Sequence, residues 1–193
     1  MKKSRLVLSA VVSIVLAAPL ALVTVGAASA APTASPSNYS CWESGTTGKS
    51  VCVDKGQDLV QAVAEQAGVR LVVPADAVIG GIAVSSSERS IAAKGIVTPF
   101  AEVVISILYD DANYGGGSYT MSYNNANCAT TSYGFAQLGP LGWNDRASSF
   151  KSFSGCITAV FENINYGGAS VGYQTNASSL GVMNDAASSW RVQ

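Results

Sequence analysis

Asn144-Asp145-Arg146-Ala147-Ser148-Ser149 returns later in the chain as Asn184-Asp185-Ala186-Ala187-Ser188-Ser189. Each string runs directly into an aromatic residue and then a cation, Phe150-Lys151 in the first copy and Trp190-Arg191 in the second. A second signature precedes each: an aromatic, an acid and a Tyr-Gly-Gly, spanning Tyr109 to Gly116 and again Phe161 to Gly168. Two unrelated signatures recurring in the same order define an internal duplication, and that duplication governs the reading of everything around it.

The repeated string is rich in hard oxygen donors. Aspartate carboxylates, serine hydroxyls and backbone carbonyls are the set that Ca²⁺ prefers, and the ion takes 6–8 of them in a flexible geometry. A single Asn-Asp-x-x-Ser-Ser loop is too small to supply that number, whereas two facing loops can share ligands. With no histidine and four cysteines in the chain, zinc and copper would find few partners. Without a metal, the same strings would serve as turns closed by Asx and Ser hydrogen bonds.

At these residues the sequence resembles the microbial, calcium-binding branch of the βγ-crystallin family. Both the aromatic-x6-Gly hairpin and the Asn/Asp-Asn/Asp-x-x-Ser/Thr-Ser loop occur twice, over residues 103–193. The resemblance implies a mainly β fold, a two-motif Greek-key sandwich. It also implies two shared calcium sites. One would take the Asp110 and Arg146 carbonyls, the Ser148 hydroxyl and the Asp185 carboxylate. The other would take the Glu162 and Ala186 carbonyls, the Ser188 hydroxyl and the Asp145 carboxylate, with water completing each. Asn144 and Asn184 are expected to brace the loops. Some family members have lost their metal, but here neither loop has lost its acid or its hydroxyl.

Short strand signals with period-2 alternation and Gly/Asn turns fill the same region. They fall at 103–109, 118–123, 149–153, 156–161, 169–173 and 189–192, and argue for two packed antiparallel sheets. Phe150 and Trp190 should point inward, and Tyr114 and Tyr166 should cover their hairpins. Gly116 and Gly168 sit where a left-handed backbone is expected. The two copies are unequal: 35 positions separate Tyr109 from Asn144 but 23 separate Phe161 from Asn184. The excess lies in 124–143, where Cys128 can pair with Cys156 and staple the segment to the sheet. A long segment held on a β-scaffold suits a partner-binding role. Here the chain is also similar to the secreted crystallin-fold peptidase inhibitors of actinobacteria, which implies an extracellular peptidase as a possible partner of 124–143.

Upstream, Met-Lys-Lys-Ser-Arg, an apolar run from Leu6 to Gly26 and Ala28-Ser29-Ala30 read as a secretory signal peptide over 1–30. Residues 31–38 read as a disordered Pro/Ser/Ala arm. Residues 39–84 form a small α+β module, a possible pro-region: a hairpin on which Cys41 and Cys52 can pair, a helix from Asp54 to Gly68, and strands at 71–74 and 77–84. Residues 85–100 read as a linker exposing Arg89 and Lys94, so that proteolysis there would release the crystallin-like domain of 101–193.

Removing the signal peptide takes Lys2, Lys3 and Arg5 from the 11 basic residues and leaves a mildly acidic protein. Such a chain has no basic field for nucleic acid, nor, once the signal is gone, for a membrane surface. Lack of histidine removes Ser-His-Asp and Cys-His catalysis, so an enzyme is not expected. The sequence therefore suggests a secreted, extracellular, monomeric protein that binds calcium. A peptidase inhibitor is the second reading, and a cell-wall-binding or antimicrobial toxin the third, the last by analogy of fold alone.

Overall fold

The computed structural model describes residues 38–83 and 100–193. The signal peptide, the arm and nearly all of the linker lie outside the described residues. Strands β1 (Tyr39–Ser44) and β2 (Ser50–Asp54) form an antiparallel hairpin that sets Cys41 opposite Cys52. These two cysteines are disulfide-bonded, with Cα atoms 4.1 Å apart. Helix α1 (Leu59–Ala67) is shorter than the sequence predicts. Residues 54–57 instead form a turn around Gly56, whose φ of 92° has no place in a helix. Asp58 then caps α1 by accepting from the Gln61 N–H at 2.9 Å, and Gly68, at φ 69°, ends it.

Strand β3 (Val69–Val72) follows directly. The strand expected over 77–84 is instead a hairpin, β4 (Val78–Ile79) and β5 (Ile82–Ala83). Its two turn residues, Gly80 and Gly81, both have positive φ (61° and 80°), the backbone that a tight two-residue hairpin requires.

The duplicated region supplies β6 (Phe100–Asp111), β7 (Gly115–Tyr123), β8 (Tyr133–Phe135), β9 (Ser149–Ser152), β10 (Thr158–Asn163), β11 (Gly167–Ser170), β12 (Asn176–Ala177) and β13 (Ser189–Val192). They form two sheets. The smaller runs β11-β10-β13-β8, and the larger runs β12-β9-β6-β7 before continuing into β1 and β2. Each motif thus lends its third strand to the other: β8 pairs with β13, and β12 with β9. That exchange interlocks the two Greek keys. β8 and β12 are absent from the sequence reading, being three and two residues long and below what periodicity can detect.

Two apolar cores result. Between the sheets lie Ile105, Leu108, Tyr119, Met121, Leu138, Trp143, Phe150, Val160 and Trp190, so the inward placement of Phe150 and Trp190 holds. The second core covers the outer face of the larger sheet, where Trp42, Leu59, Val63, Val69 and Leu71 pack on Val104, Ile107, Tyr109 and Phe153. β6 therefore buries both of its faces, switching phase at an irregularity between Val104 and Ser106.

The separation of 39–84 from the crystallin-like region, drawn from sequence, does not correspond to a gap between bodies. β1 runs parallel to β7, Cys41 beside Tyr119, and β3 runs parallel to β6, Val69 beside Phe100. Phe100, placed in the linker by sequence, opens β6 for that reason.

Candidate metal centre

Each motif first builds a folded hairpin. In motif one Asn113 and Tyr114 take φ of 57° and 65°; in motif two Asn165 and Tyr166 take 57° and 62°. The tyrosines fold back edge-on over the aromatic that opens the motif, Tyr114 on Tyr109 at 5.6 Å and Tyr166 on Phe161 at 5.8 Å. A β-carbon on Gly116 would stand 2.9 Å from Asp110 Cβ, and one on Gly168 would stand 2.7 Å from Asn163 Nδ2. Both positions also have φ above 70° (74° and 77°), so glycine is required on two counts.

The second serine of each loop ties down this corner. Ser149 Oγ accepts from the Tyr114 N–H at 3.1 Å and donates to the Asp111 carbonyl at 2.6 Å. Ser189 Oγ does the same with the Tyr166 N–H and the Asn163 carbonyl, at 3.0 and 2.7 Å. These two buried hydroxyls are structural ties that the sequence leaves without a role. The signal was the doubled serine itself.

The loops then pair with one another. The Asp145 N–H donates to the Ala187 carbonyl at 3.0 Å, and the Asp185 N–H returns the bond to the Ala147 carbonyl at 3.1 Å. Ala147 and Ala187 are fully buried at this crossing; larger side chains there would force the loops apart. Both aspartates take a left-handed backbone, φ 55° and 54°, which turns their carboxylates outward, where they are exposed. Ser148 and Ser188 attach each loop to its own hairpin, donating backbone N–H bonds to the Tyr109 carbonyl (2.9 Å) and the Phe161 carbonyl (2.8 Å). These bonds bring Ser148 beside Asp110 and Ser188 beside Glu162, one residue on.

Across the motifs, Ser148 Oγ donates to Asp185 Oδ1 at 3.1 Å. Asn144 and Asn184 donate side-chain amide bonds to the neighbouring Asp145 and Asp185 carboxylates, at 2.6 and 2.8 Å. A carboxylate from one motif thus meets a hydroxyl from the other at the loop crossing, with Asp185 exposed. Carboxylate and hydroxyl oxygens are hard donors of the type that calcium takes.

The two corners differ in charge. Arg146 grips Asp110 with both ends of its guanidinium, Nε to Oδ1 at 3.0 Å and Nη2 to Oδ2 at 2.7 Å. It also donates to the Gly142 carbonyl at 2.8 Å and lies 4.5 Å from the centre of the Trp143 ring. Burial pushes the Asp110 carboxyl above its ordinary value, and the bonds from Arg146 offset only part of that push. In motif two the matching positions are Ala186 and an exposed Glu162, whose Oε2 accepts from the Ala169 N–H at 3.2 Å. The acid of the first corner is ion-paired, and that of the second is hydrogen-bonded to a backbone amide.

The 124–143 segment is mostly scaffold. Within it lies β8, and Leu138 and Trp143 are wholly buried in the inter-sheet core. Cys128 is bonded to Cys156, Cα atoms 5.2 Å apart. Directly after that bond, Ala129, Thr130, Thr131 and Ser132 are all exposed. Asn127 closes this short turn: its carbonyl accepts from the Thr131 N–H at 3.0 Å, and its own N–H donates to the Tyr133 hydroxyl at 2.8 Å.

Two interlocked four-strand Greek keys, each with a folded hairpin tied to a serine loop, define a βγ-crystallin-like domain, and the C-terminal region is one. Residues 108–173 match the model of peptidase inhibitor family I36, a non-catalytic kind of protein. Among solved structures, a βγ-crystallin domain from Flavobacterium johnsoniae is 32% identical, the match covering 46% of this chain and 93% of that one, with a TM-score of 0.36. A βγ-crystallin domain from Clostridium beijerinckii is 28% identical over 46% of this chain and 95% of its own, TM-score 0.36. The N-terminal domain of protein S is 26% identical over 46% and 94%, TM-score 0.37. No match was found among curated proteins.

Proposed function

We propose that this protein is exported and binds calcium at the two corners formed by its paired loops, the ions adding to the stability of the crystallin-like domain. The observation that carries this reading is the contact of Ser148 with Asp185, made possible by the reciprocal amide–carbonyl bonds between the loops. Asp185, Ser148 and the Arg146 and Asp110 carbonyls would hold one ion; Asp145, Ser188 and the Ala186 and Glu162 carbonyls the other. Bound calcium would supply a divalent charge to oxygens that both motifs contribute. The chain's own part is to present these oxygens with the loops already joined, so little ordering remains to be done on binding. Two disulfides with no free cysteine among the described residues support an oxidising, extracellular setting.

Binding to the folded state alone raises stability by about 2.7 kcal/mol when free ligand exceeds Kd by ~100-fold. Calorimetric titration of the full chain, with melting curves in calcium and in chelator, tests the reading. Heat of binding and a melting temperature that climbs with the logarithm of free calcium are expected. No heat and identical melting in both media would refute it. Asp145→Ala with Asp185→Ala should remove the calcium-dependent shift, and either alone should weaken it.

A second reading is peptidase inhibition. It is supported by the family match over 108–173 and by the exposed turn 129–132 anchored at the Cys128–Cys156 bond. A short segment fixed at its base loses little entropy on entering a peptidase cleft. Assay against extracellular metallo- and serine peptidases tests it; no inhibition by the folded protein at micromolar concentration would remove it.

A further inference from the structure

The strands at the N-terminal end of the larger sheet stand in the order β2-β1-β7-β6-β3. Residues 38–83 contribute β1, β2 and β3, yet β1 and β3 are not paired with each other. The β6–β7 hairpin of motif one fills the two-strand space between them, parallel to β1 on one side and to β3 on the other. We infer that residues 38–83 are a permanent folding partner of motif one, built around the β6–β7 hairpin, so that cutting the chain between 83 and 100 yields a two-fragment complex and frees no C-terminal domain.

Three sets of contacts carry this. First, β1 serves both cores: Trp42 joins the outer cluster with Ile107 and Phe153, while Cys41 joins the inter-sheet cluster with Tyr119 and Trp190. Second, side chains of β1, α1 and β3 complete the apolar cluster that holds Val104, Ile107 and Tyr109 of β6, and β1 covers the edge of β7; exposing either invites association. Third, the junction is polar and specific at its centre. Glu102, fully buried on β6, accepts from Ser44 Oγ and Ser122 Oγ, each at 2.5 Å. Ser122 Oγ in turn accepts from Trp42 Nε1 at 2.7 Å. Two of the donors in this network, Ser44 and Trp42, come from β1. Removing β1 takes away half the support of a buried carboxylate, a strongly unfavourable change. Gly45 lies so close to Tyr123 that a β-carbon there would stand 1.8 Å from the ring. The dependence runs both ways, because without β6–β7 nothing joins β3 to the β1–β2 hairpin in one sheet, and α1, which packs on β1, β2 and β3, loses the frame that holds those strands together.

Neither disulfide bridges the junction, since Cys41–Cys52 lies within one part and Cys128–Cys156 within the other. Any association after scission is therefore non-covalent. The test is a full chain carrying a site-specific protease site inserted between residues 84 and 99, cut after folding. Size exclusion in native buffer should show both fragments in one peak at the uncut elution volume, with an unchanged near-ultraviolet tryptophan spectrum, separating only in denaturant. Two peaks, with the C-terminal fragment keeping its native spectrum, would overturn the inference. Trp42→Ala in the uninterrupted chain guards against an insertion that spoils folding. Its unfolding should remain one transition, lowered for Trp143 and Trp190 alike, or the chain should fail to fold. A C-terminal transition at the wild-type temperature would overturn the inference equally.

Discussion

β7 and β11 leave equivalent hairpin corners and end in different surroundings. β7 runs nine residues with its seven middle positions buried, whereas β11 runs four with three exposed. The cause lies outside the duplicated motifs. β1 occupies the far edge of β7, while among the described residues no strand lies beyond β11. The paired-loop corners diverge in the same direction, motif one with its acid paired to Arg146 and motif two with Glu162 exposed. A duplicated sequence therefore produces one sealed half and one open half: the sheet edges differ in what packs on them, and the corners differ by Arg146 standing where the second copy has Ala186.

The largest effect that could break this comparison is expected in the covering layer. Leu59, almost wholly buried in α1, shares the outer core with Val104, Ile107 and Tyr109 of motif one, and Leu59→Ala should cost about 2–5 kcal/mol, cavity included. Ile164, half exposed on the hairpin of motif two, should lose less than about 0.5 kcal/mol on the same truncation. Denaturant unfolding of the two variants measures both; equal losses would mean that the cover contributes nothing special. A middle-sized effect is expected at the corners. Arg146→Ala strips a partly buried carboxylate of two charge-assisted bonds and should cost on the order of 1–3 kcal/mol, whereas Ala186→Ser should be nearly neutral.

The smallest effect sharpens the junction itself. Burial raises the Glu43 carboxyl above its ordinary value, and the hydrogen bond from the Tyr119 hydroxyl (2.5 Å) opposes that rise only partly. A carboxyl with a raised folded-state pKa favours the folded state while protonated and loses that contribution as pH climbs through the folded value. Glu43→Gln should therefore melt above wild type at pH 7 and converge with it below about pH 4, where both side chains are neutral. A variant less stable than wild type at pH 7, or a gap independent of pH, would contradict this.

Most of the crystallin-like half was legible residue by residue. The aromatic-x6-Gly corners placed Tyr114, Tyr166, Gly116 and Gly168 correctly, because a left-handed corner admits few residues. The Asn-Asp-x-x-Ser-Ser strings placed the paired loops for the same local reason. What escaped was pairwise and remote. The bond from Arg146 to Asp110 joins residues in different elements, and the choice of Arg at an x position carries no pattern. β8 and β12 are strands only because a longer strand of the other motif lies beside them. One clue does stand in the sequence: Val103-Val104-Ile105-Ser106-Ile107-Leu108-Tyr109 is nearly continuous in apolar residues, the mark of a strand buried on both faces. An ordinary outer strand of a two-sheet sandwich would alternate.

By itself the sequence settled the duplication, the hairpin corners and the candidate ligand types, since each is a property of a few neighbouring residues; it proposed the two cysteine pairs, which the structure bears out. Tertiary structure alone decided that residues 38–83 enclose the β6–β7 hairpin and that Glu102 is buried among hydroxyls. Parallel registers such as Cys41 beside Tyr119 join strands far apart in the chain, and the free energy that selects them comes from burying two faces at once, a quantity no local window of residues contains.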